Sequence, residues 1–296
     1  MDIIERKAEM REFSIRHRGA GRHVGLVPTM GALHEGHGSL TRAARRDCDV
    51  VVVSLFVNPT QFAPGEDFER YPRAFEADRA VCEGLGVDAL FAPAPGEMYP
   101  PGGETSVVQD GLATVLEGAS RPTHFRGVLT VVLKLFNVVL PHVAYFGQKD
   151  YQQTVVIRRM VADLDVPVEV RVLPTIREAD GLALSTRNGY LSGAERKQAV
   201  CLYEALTRCG ERFAAGETDA ARLTRVMRER IEQEPDARID YVELVRPDSL
   251  APAEPARRGD VALVAVQIGA TRLIDNMALG QATGVGRSGY PPGAAG

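Results

Sequence analysis

Tryptophan is absent from the chain, aromatic residues make up only 6% of it, and just four cysteines are spread along its length. Cys48, Cys82, Cys201 and Cys209 show no CxxC spacing. Neither a disulfide framework nor a paired-thiol metal site is suggested, and a reducing cytoplasm is the compartment expected. Long apolar runs are missing too. The most apolar stretch, GVLTVVLKLFNVVLP from Gly127 to Pro141, is interrupted by Lys134 and Asn137 and is shorter than the roughly 20 residues a bilayer span requires. No membrane is therefore expected. The opening MDIIERKAEM has no cationic segment leading into an apolar run, the pattern of an export signal. Nor does one sign of charge dominate: a formal net charge of -4 gives no general electrostatic reason to expect a nucleic-acid partner.

What is present is the balance of a globular chain able to bury a core, with 45% apolar and 25% charged residues. A length of 296 residues suggests two moderate domains. Valine-rich runs read as buried strands in HVGLV (23–27), DVVVVSLFV (49–57), VDALFA (87–92), HVAYF (142–146) and VPVEVRVL (166–173). Helical patterns lie between them, in SLTRAARRD, YPRAFEADRAVCEGLG, the Gly127–Pro141 stretch and DYQQTVVIRRMVADLD. In the third of these, Val128, Val131, Val132, Leu135, Phe136 and Val139 follow helical spacing and share one face. Strands alternating with helices imply an α/β, doubly wound (Rossmann-like) parallel sheet covered on both faces, assigned to residues 1–175.

From residue 176 the pattern changes. Helical segments at 192–215 and 218–234, followed by strand-like IDYVELV and VALVAVQIGATRLID, describe a smaller α+β C-terminal domain over 176–280. Ser192 and Glu195 form a capping-box pattern that opens its first helix. The Gly-, Pro- and Ala-rich tail, residues 281–296, is expected to be unordered.

In an open parallel sheet ligands bind beyond the carboxyl ends of the strands, and the polar clusters of this sequence fall there. PTMGALHEGH follows the first valine-rich strand, so His34 and His37, three positions apart, share one face of a helix start. Such a start presents free N–H groups and partial positive charge, which suits phosphate, and Gly36 leaves room for a nucleotide to approach. Two imidazoles there can donate to phosphate oxygens; a cap or a satisfied core hydrogen bond explains isolated histidines equally well. Zinc fits less, because HExxH needs the second histidine one place further on and no third ligand is evident. FGQKDYQQ places Lys149 at a strand end and Asp150 at a helix start; Asp150 with Gln153 reads as a capping box, which leaves Lys149 unexplained. NPTQF supplies the neutral amides Asn58 and Gln61, and LSTRN supplies Ser185, Thr186, Arg187 and Asn188, either an anion-wrapping loop or an ordinary polar linker.

Taken together, PTMGALHEGH, FVNPTQF, RPTHFRGV, FGQKDYQQ, GLALSTRN and TRLIDN resemble the pantoate–beta-alanine ligase (pantothenate synthetase) family of nucleotidyltransferases with HIGH-like and KMSKS-like motifs, in order and over most of the chain. The resemblance implies condensation of pantoate with beta-alanine using ATP and Mg2+, with AMP and pyrophosphate released through an enzyme-bound pantoyl adenylate. It implies catalytic roles for His34, His37, Lys149 and Arg187. It implies ATP binding by Met30, His34, His37, Gly147, Lys149, Asp150, Ile176, Leu184, Ser185, Thr186 and Arg187, and pantoate binding by Asn58, Gln61 and Gln153. A homodimer is implied, as is a C-terminal domain that closes over the ATP site. No carboxylate set is singled out as the Mg2+ ligands, and the resemblance does not decide whether His124 and Arg126 touch ligand or brace the site.

Departures stand at Gly38, where the family has an apolar residue, at Leu184 in place of methionine, and at Thr186 in place of serine. Gly38 is expected to weaken its helix by on the order of 1 kcal/mol relative to alanine. The segment APGEDFERYPRAFE (63–76) is nominated as a lid that excludes water. The rival readings are another nucleotidyltransferase that leaves the nucleotide on its product, a tRNA-charging enzyme, and a nucleotide-binding sensor without turnover. The acidic balance disfavours the tRNA reading, and the number of phosphate-directed groups disfavours the sensor.

Overall fold

The strands that the sequence marks by valine pair side by side in one parallel sheet in the computed structural model, which describes residues 1–280. The expected tail, 281–296, lies outside the described residues. Two compact units divide the chain, Met1–Pro174 and the residues from Thr175 onward.

In the first unit, the strands are β1 (Asp2–Ile4), β2 (Val24–Thr29), β3 (Val50–Leu55), β4 (Ala89–Phe91), β5 (Val143–Gly147) and β6 (Glu169–Leu173). The helices are α1 (Lys7–Gly19), α2 (Glu35–Asp47), α3 (Phe75–Gly84), the short α4 (Pro95–Met98) and α5 (Glu117–Ser120), α6 (His124–Val139) and α7 (Tyr151–Asp163). The sheet order is β1-β4-β3-β2-β5-β6, all parallel. Because successive side chains point to opposite faces, the strands feed two cores. Val24, Leu26, Val50, Val52 and Phe91 pack with Met10, Phe13, Leu129, Phe136, Ile157 and Met160 of α1, α6 and α7. Val27, Val51, Val53, Leu90 and Tyr145 pack with Leu40, Ala43 and Cys82 of α2 and α3. Continuous valine runs are therefore what the strands buried on both faces need; edge strand β6, expected to be buried, is instead exposed at Glu169 and half-buried from Val170 to Leu173.

Helix α6 carries the apolar stretch and begins at His124, three residues before the expected start. Its face of Val128, Val131, Val132, Leu135, Phe136 and Val139 is buried as the spacing predicts. Each such side chain stabilises the fold by roughly 1.5–3 kcal/mol relative to exposure. Among the described residues no helix is long and apolar enough to cross a membrane.

Two elements carry no clear sequence signal. β1 is only three residues long, and α1 buries just Met10, Phe13 and Ser14 among charged neighbours.

The second unit has α8 (Gly193–Gln198), α9 (Cys201–Ala214), α10 (Ala220–Ile231) and an antiparallel sheet β7 (Ala237–Val245), β8 (Val261–Ile268), β9 (Thr271–Ala278). Leu202, Leu206, Leu223, Met227, Val264 and Val266 form its core. The expected helix over 192–215 is divided at Ala199 and Val200, where an i→i+3 bond from Leu202 N–H to Ala199 O tightens the turn. Its opening cap is as expected: Ser192 Oγ accepts from Glu195 N–H, and Glu195 accepts from Ser192 N–H.

Candidate functional site

Strand order reverses at β2: the chain runs from β2 outward through β3 and β4, then returns to place β5 on the other flank. Loops leaving β2 and β5 thus diverge and open a crevice beyond their carboxyl ends, the place where ligands bind in open α/β sheets. The β2 loop contributes Met30 and leads into α2; the β5 loop contributes Gly147 and a single turn, Gln148–Asp150, that runs straight into α7.

His34 caps α2. Its Nδ1 accepts the Gly36 N–H at 3.1 Å, and Nδ1 of His37 accepts the His34 N–H at 3.3 Å. The two rings lie 4.1 Å apart between centroids. A nitrogen that accepts carries no proton, so each neutral imidazole keeps its hydrogen on Nε2, as a donor. Burial drives the His34 pKa down to about 4, helped by the positive charge of Lys149. For His37, burial and then His34 and Lys149 drive it to about 3. The cap reading and the donor reading of the pair are therefore compatible. Gly36 has a use nearer than nucleotide approach, since a Cβ there would stand 2.7 Å from Cε1 of His34.

The turn before α2 is set by a residue with no motif around it. Asp78 on α3, buried, accepts N–H bonds from Ala32 at 2.9 Å and Leu33 at 2.7 Å. Burial raises its carboxyl above the ordinary range, and the two backbone bonds pull the other way. Gly31, at φ +85°, meets Asp78 so closely that a Cβ would stand 3.0 Å from Oδ2.

Lys149 sits in the turn after β5, 3.8 Å from its neighbour Asp150, and both act on the charge of His34. The capping box expected of Asp150 and Gln153 does not form: Asp150 makes no side-chain cap bond. The turn Gln148–Asp150 passes directly into α7 and leaves Asp150 at φ -90°, ψ 59°, outside the extended range of a capping residue. Gln152, one place before Gln153, is the buried brace, bonded to Glu117 N–H, Leu112 O and Val115 O. Gln153 is half-buried beside it.

Beyond β3, Asn58 is buried and densely bonded. Its Oδ1 accepts from Thr60 Oγ1 and Tyr99 Oη, both at 2.9 Å, and its Nδ2 donates to Gln61 Oε1 at 3.1 Å and Gly127 O at 3.2 Å. Gln61 in turn places Nε2 2.9 Å from Met30 Sδ. α6 reaches this turn through Gly127, where a Cβ would fall 2.3 Å from Thr60 O. His124 donates from Nδ1 to Gln61 O at 2.9 Å, and Arg121 donates to the same carbonyl at 3.2 Å while pairing with Glu66 at 2.6 Å. Burial, then Arg121, lowers the His124 pKa to about 4. Arg126 is exposed and donates to Ser106 Oγ. Both residues thus brace neighbouring backbone or side chain.

In the second unit, Leu184 N–H donates to Ile176 O, and Ser185 caps the turn Thr186–Tyr190 by accepting the Arg187 N–H at 3.2 Å. That leaves the Ser185 O–H to donate elsewhere. Asn188 Nδ2 donates to Glu178 Oε1 and Ala183 O.

A doubly wound sheet with a donor-tipped helix start after β2, a lysine turn after β5 and an amide turn after β3 defines an α/β protein whose candidate site lies beyond the carboxyl ends of these strands in the first unit. The chain belongs to the pantoate-beta-alanine ligase family, whose sequence model matches residues 2–278. It is 54% identical over 279 residues to the pantothenate synthetase of Moorella thermoacetica, spanning 94% of this chain and 99% of that one. The fold is similar to the crystal structure of pantothenate synthetase from Thermus thermophilus, with a TM-score of 0.90, 49% identity and coverage of 94% and 99% of the two chains. It is also similar to the pantoate-beta-alanine ligase from Francisella tularensis complexed with beta-gamma ATP and beta-alanine, with a TM-score of 0.78, 34% identity and coverage of 94% and 97%.

Proposed function

We propose that the chain condenses pantoate with beta-alanine at the expense of ATP, through a pantoyl adenylate, and releases AMP, pyrophosphate and pantothenate. The observation that carries this reading is the pair of neutral Nε2–H donors on the α2 start facing the charge of Lys149, in a chain of the pantoate-beta-alanine ligase family. The ATP and beta-alanine of the Francisella tularensis complex fit the same reading.

The first step joins a pantoate carboxylate oxygen to the α-phosphorus and breaks the bond to the β-phosphate bridging oxygen, so the electron pair leaves with pyrophosphate. Anions must be brought together and their growing charge met by prearranged donors. His34, His37 and Lys149 do this from the first unit, beside Met30, Gly147 and Asp150. Ser185, Thr186 and Arg187 are proposed as donors to the triphosphate, with Ile176 and Leu184 in the same ATP-binding set. Gln61 and Gln153 bind pantoate, and Asn58, its amide committed to neighbours, acts by aiming Gln61. In the second step the beta-alanine amine attacks the acyl carbon and AMP departs, with water held off by the 63–76 segment.

Among the described residues no cluster of three or more His, Cys, Asp or Glu is placed to hold a metal. Mg2+ would be held by ATP oxygens and water, with Asp150, in the turn that carries Lys149, the carboxylate proposed beside it. Bound there, it supplies charge neutralisation to the phosphates. A homodimer working in the cytoplasm, on small molecules and without nucleic acid, completes the proposal.

The test incubates the protein with ATP and Mg2+, with each organic substrate alone and with both, and follows AMP, pyrophosphate and pantothenate. Pantothenate and AMP formed only with both substrates support the reading. AMP and pyrophosphate released without pantoate, or nucleotide retained on the product, would overturn it.

A further inference from the structure

Upstream of the Ala183–Asn188 segment, and outside the ligand set above, a single arginine ties three elements together. Arg177 is buried and forms a two-bond fork with buried Asp275 of β9, NH1 to Oδ2 at 2.6 Å and NH2 to Oδ1 at 3.0 Å. The same guanidinium donates to Gly181 O at 3.1 Å and Asn276 O at 3.3 Å, and its Cζ stands 4.8 Å from the centroid of the Tyr203 ring on α9. Asp275 Oδ1 also accepts the Asn276 N–H.

The turn from Arg177 to Ala183 is a small hairpin. Arg177 and Ala183 form an antiparallel bridge, Glu178 N–H donates to Leu182 O, and Gly181 sits at φ +94°. A Cβ on Gly181 would lie 2.0 Å from the Tyr203 ring, so the hairpin tip is seated flush against α9. Glu178 then holds the far end of the following loop, through Asn188 Nδ2 at 3.0 Å, and is itself held by Arg196 at 2.6 Å. Ser185, Thr186 and Arg187 lie between these two anchor points.

We propose that Arg177 and Asp275 are a positioning pair: they fix the hairpin that delivers the Ser185–Arg187 loop, and so set its grip on the triphosphate. This rests on the ligand role proposed for that loop. A buried ion pair is commonly replaceable by apolar residues at little cost in stability, whereas a planar two-bond fork fixes direction as well as distance. The bonds on Gly181 O and Asn276 O extend that orientation from the hairpin to β9. Lysine keeps the charge but offers no fork.

The test compares Arg177→Lys, Asp275→Asn and Arg187→Ala with the unaltered protein. ATP KM, pantoate KM and kcat are measured, together with hydrogen exchange of the Leu184–Leu191 amides against those of α9 and α10. The expected result for Arg177→Lys and Asp275→Asn is faster exchange confined to the loop, with kcat/KM for ATP down about ten- to a hundredfold. Pantoate KM stays within about twofold. Loop exchange and ATP kinetics that match the unaltered protein overturn the proposal. So does loss of folding in both variants, since the pair would then hold the unit and not the loop. A silent Arg187→Ala separates the two ideas: it overturns the ligand role of the loop and the kinetic consequence with it, while unchanged loop exchange in Arg177→Lys overturns the positioning role alone.

Discussion

The Asp78 carboxylate accepts the Leu33 N–H at 2.7 Å, across 45 positions of sequence, and so fixes the backbone immediately before the histidine that caps α2. A helix start can aim two imidazoles only if the chain entering it is held. Asp78→Ala leaves the Ala32 and Leu33 amides without their acceptor, a cost of roughly 1–3 kcal/mol. The variant should unfold at lower denaturant and lose adenylate formation by more than its stability loss explains. Normal pyrophosphate release from a folded variant would show that the turn holds itself.

Stability of the ligand-free protein should fall with acid for a reason visible in three half-buried imidazoles. Folded-state pKa values of about 4 for His34, about 3 for His37 and about 4 for His124 lie below the ordinary value of 6.5. Between those values the unfolded chain binds more protons than the folded one, so stability rises with pH there. The contribution is complete above about pH 6.5 and is lost as pH falls through about 4 towards 3. Urea melts between these limits check the slope, and His37→Gln should flatten it.

Lys149→Ala should separate activity from stability. Its ammonium faces the imidazole pair and the neighbouring Asp150, so removal of one charge-stabilising group is expected to lower kcat by on the order of 10²–10³. The melting free energy should change by about 1 kcal/mol or less. A comparable loss in both would make Lys149 a fold residue.

Gly127→Ala should be among the most damaging single-methyl additions. The added Cβ falls 2.3 Å from Thr60 O and 2.6 Å from Gln61 N, both backbone, so α6 and the amide turn must part. Overpacking of this kind costs roughly 1–3 kcal/mol or more. Pantoate KM should rise as Gln61 moves; a variant with native pantoate KM would detach Gln61 from that role.

Gly38→Ala should do the opposite. The new methyl would meet Arg42 NH1 and Glu35 Oε2 at 3.3 Å, the far ends of flexible side chains that form an ion pair across it. Those ends can swing aside, so the gain in helix propensity, about 1 kcal/mol at most, should appear as a higher melting temperature.

The doubly wound sheet was legible because a strand buried on both faces must be apolar at every position, and valine supplies that without periodicity. α6 was legible for the opposite reason, a spacing that repeats along one face. α1 escaped because its charged residues outnumber the Met10 and Phe13 it buries, and β1 because Asp2–Ile4 is too short to show a pattern. His34, His37, Lys149 and Gln61 stood out as clustered motifs at strand ends. Asp78 did not, since the amides it holds are 45 and 46 positions away; Asp275 lies in the TRLIDN motif, but its pairing with Arg177, 98 positions off, is invisible in the spacing. The cap assigned to Asp150 failed because residue spacing cannot reveal that Gln148–Asp150 already turns helically into α7.

The way the two imidazoles are tied to the backbone also limits what they can do with protons. With Nδ1 of each ring engaged by an amide hydrogen, neither ring can take up a proton on that nitrogen without letting go of the helix start. Such rings hand hydrogen bonds to a ligand but are poor relays, so carboxylate attack on phosphorus should proceed with no proton in flight. Turnover of that half-reaction in heavy water should run at nearly the rate seen in ordinary water.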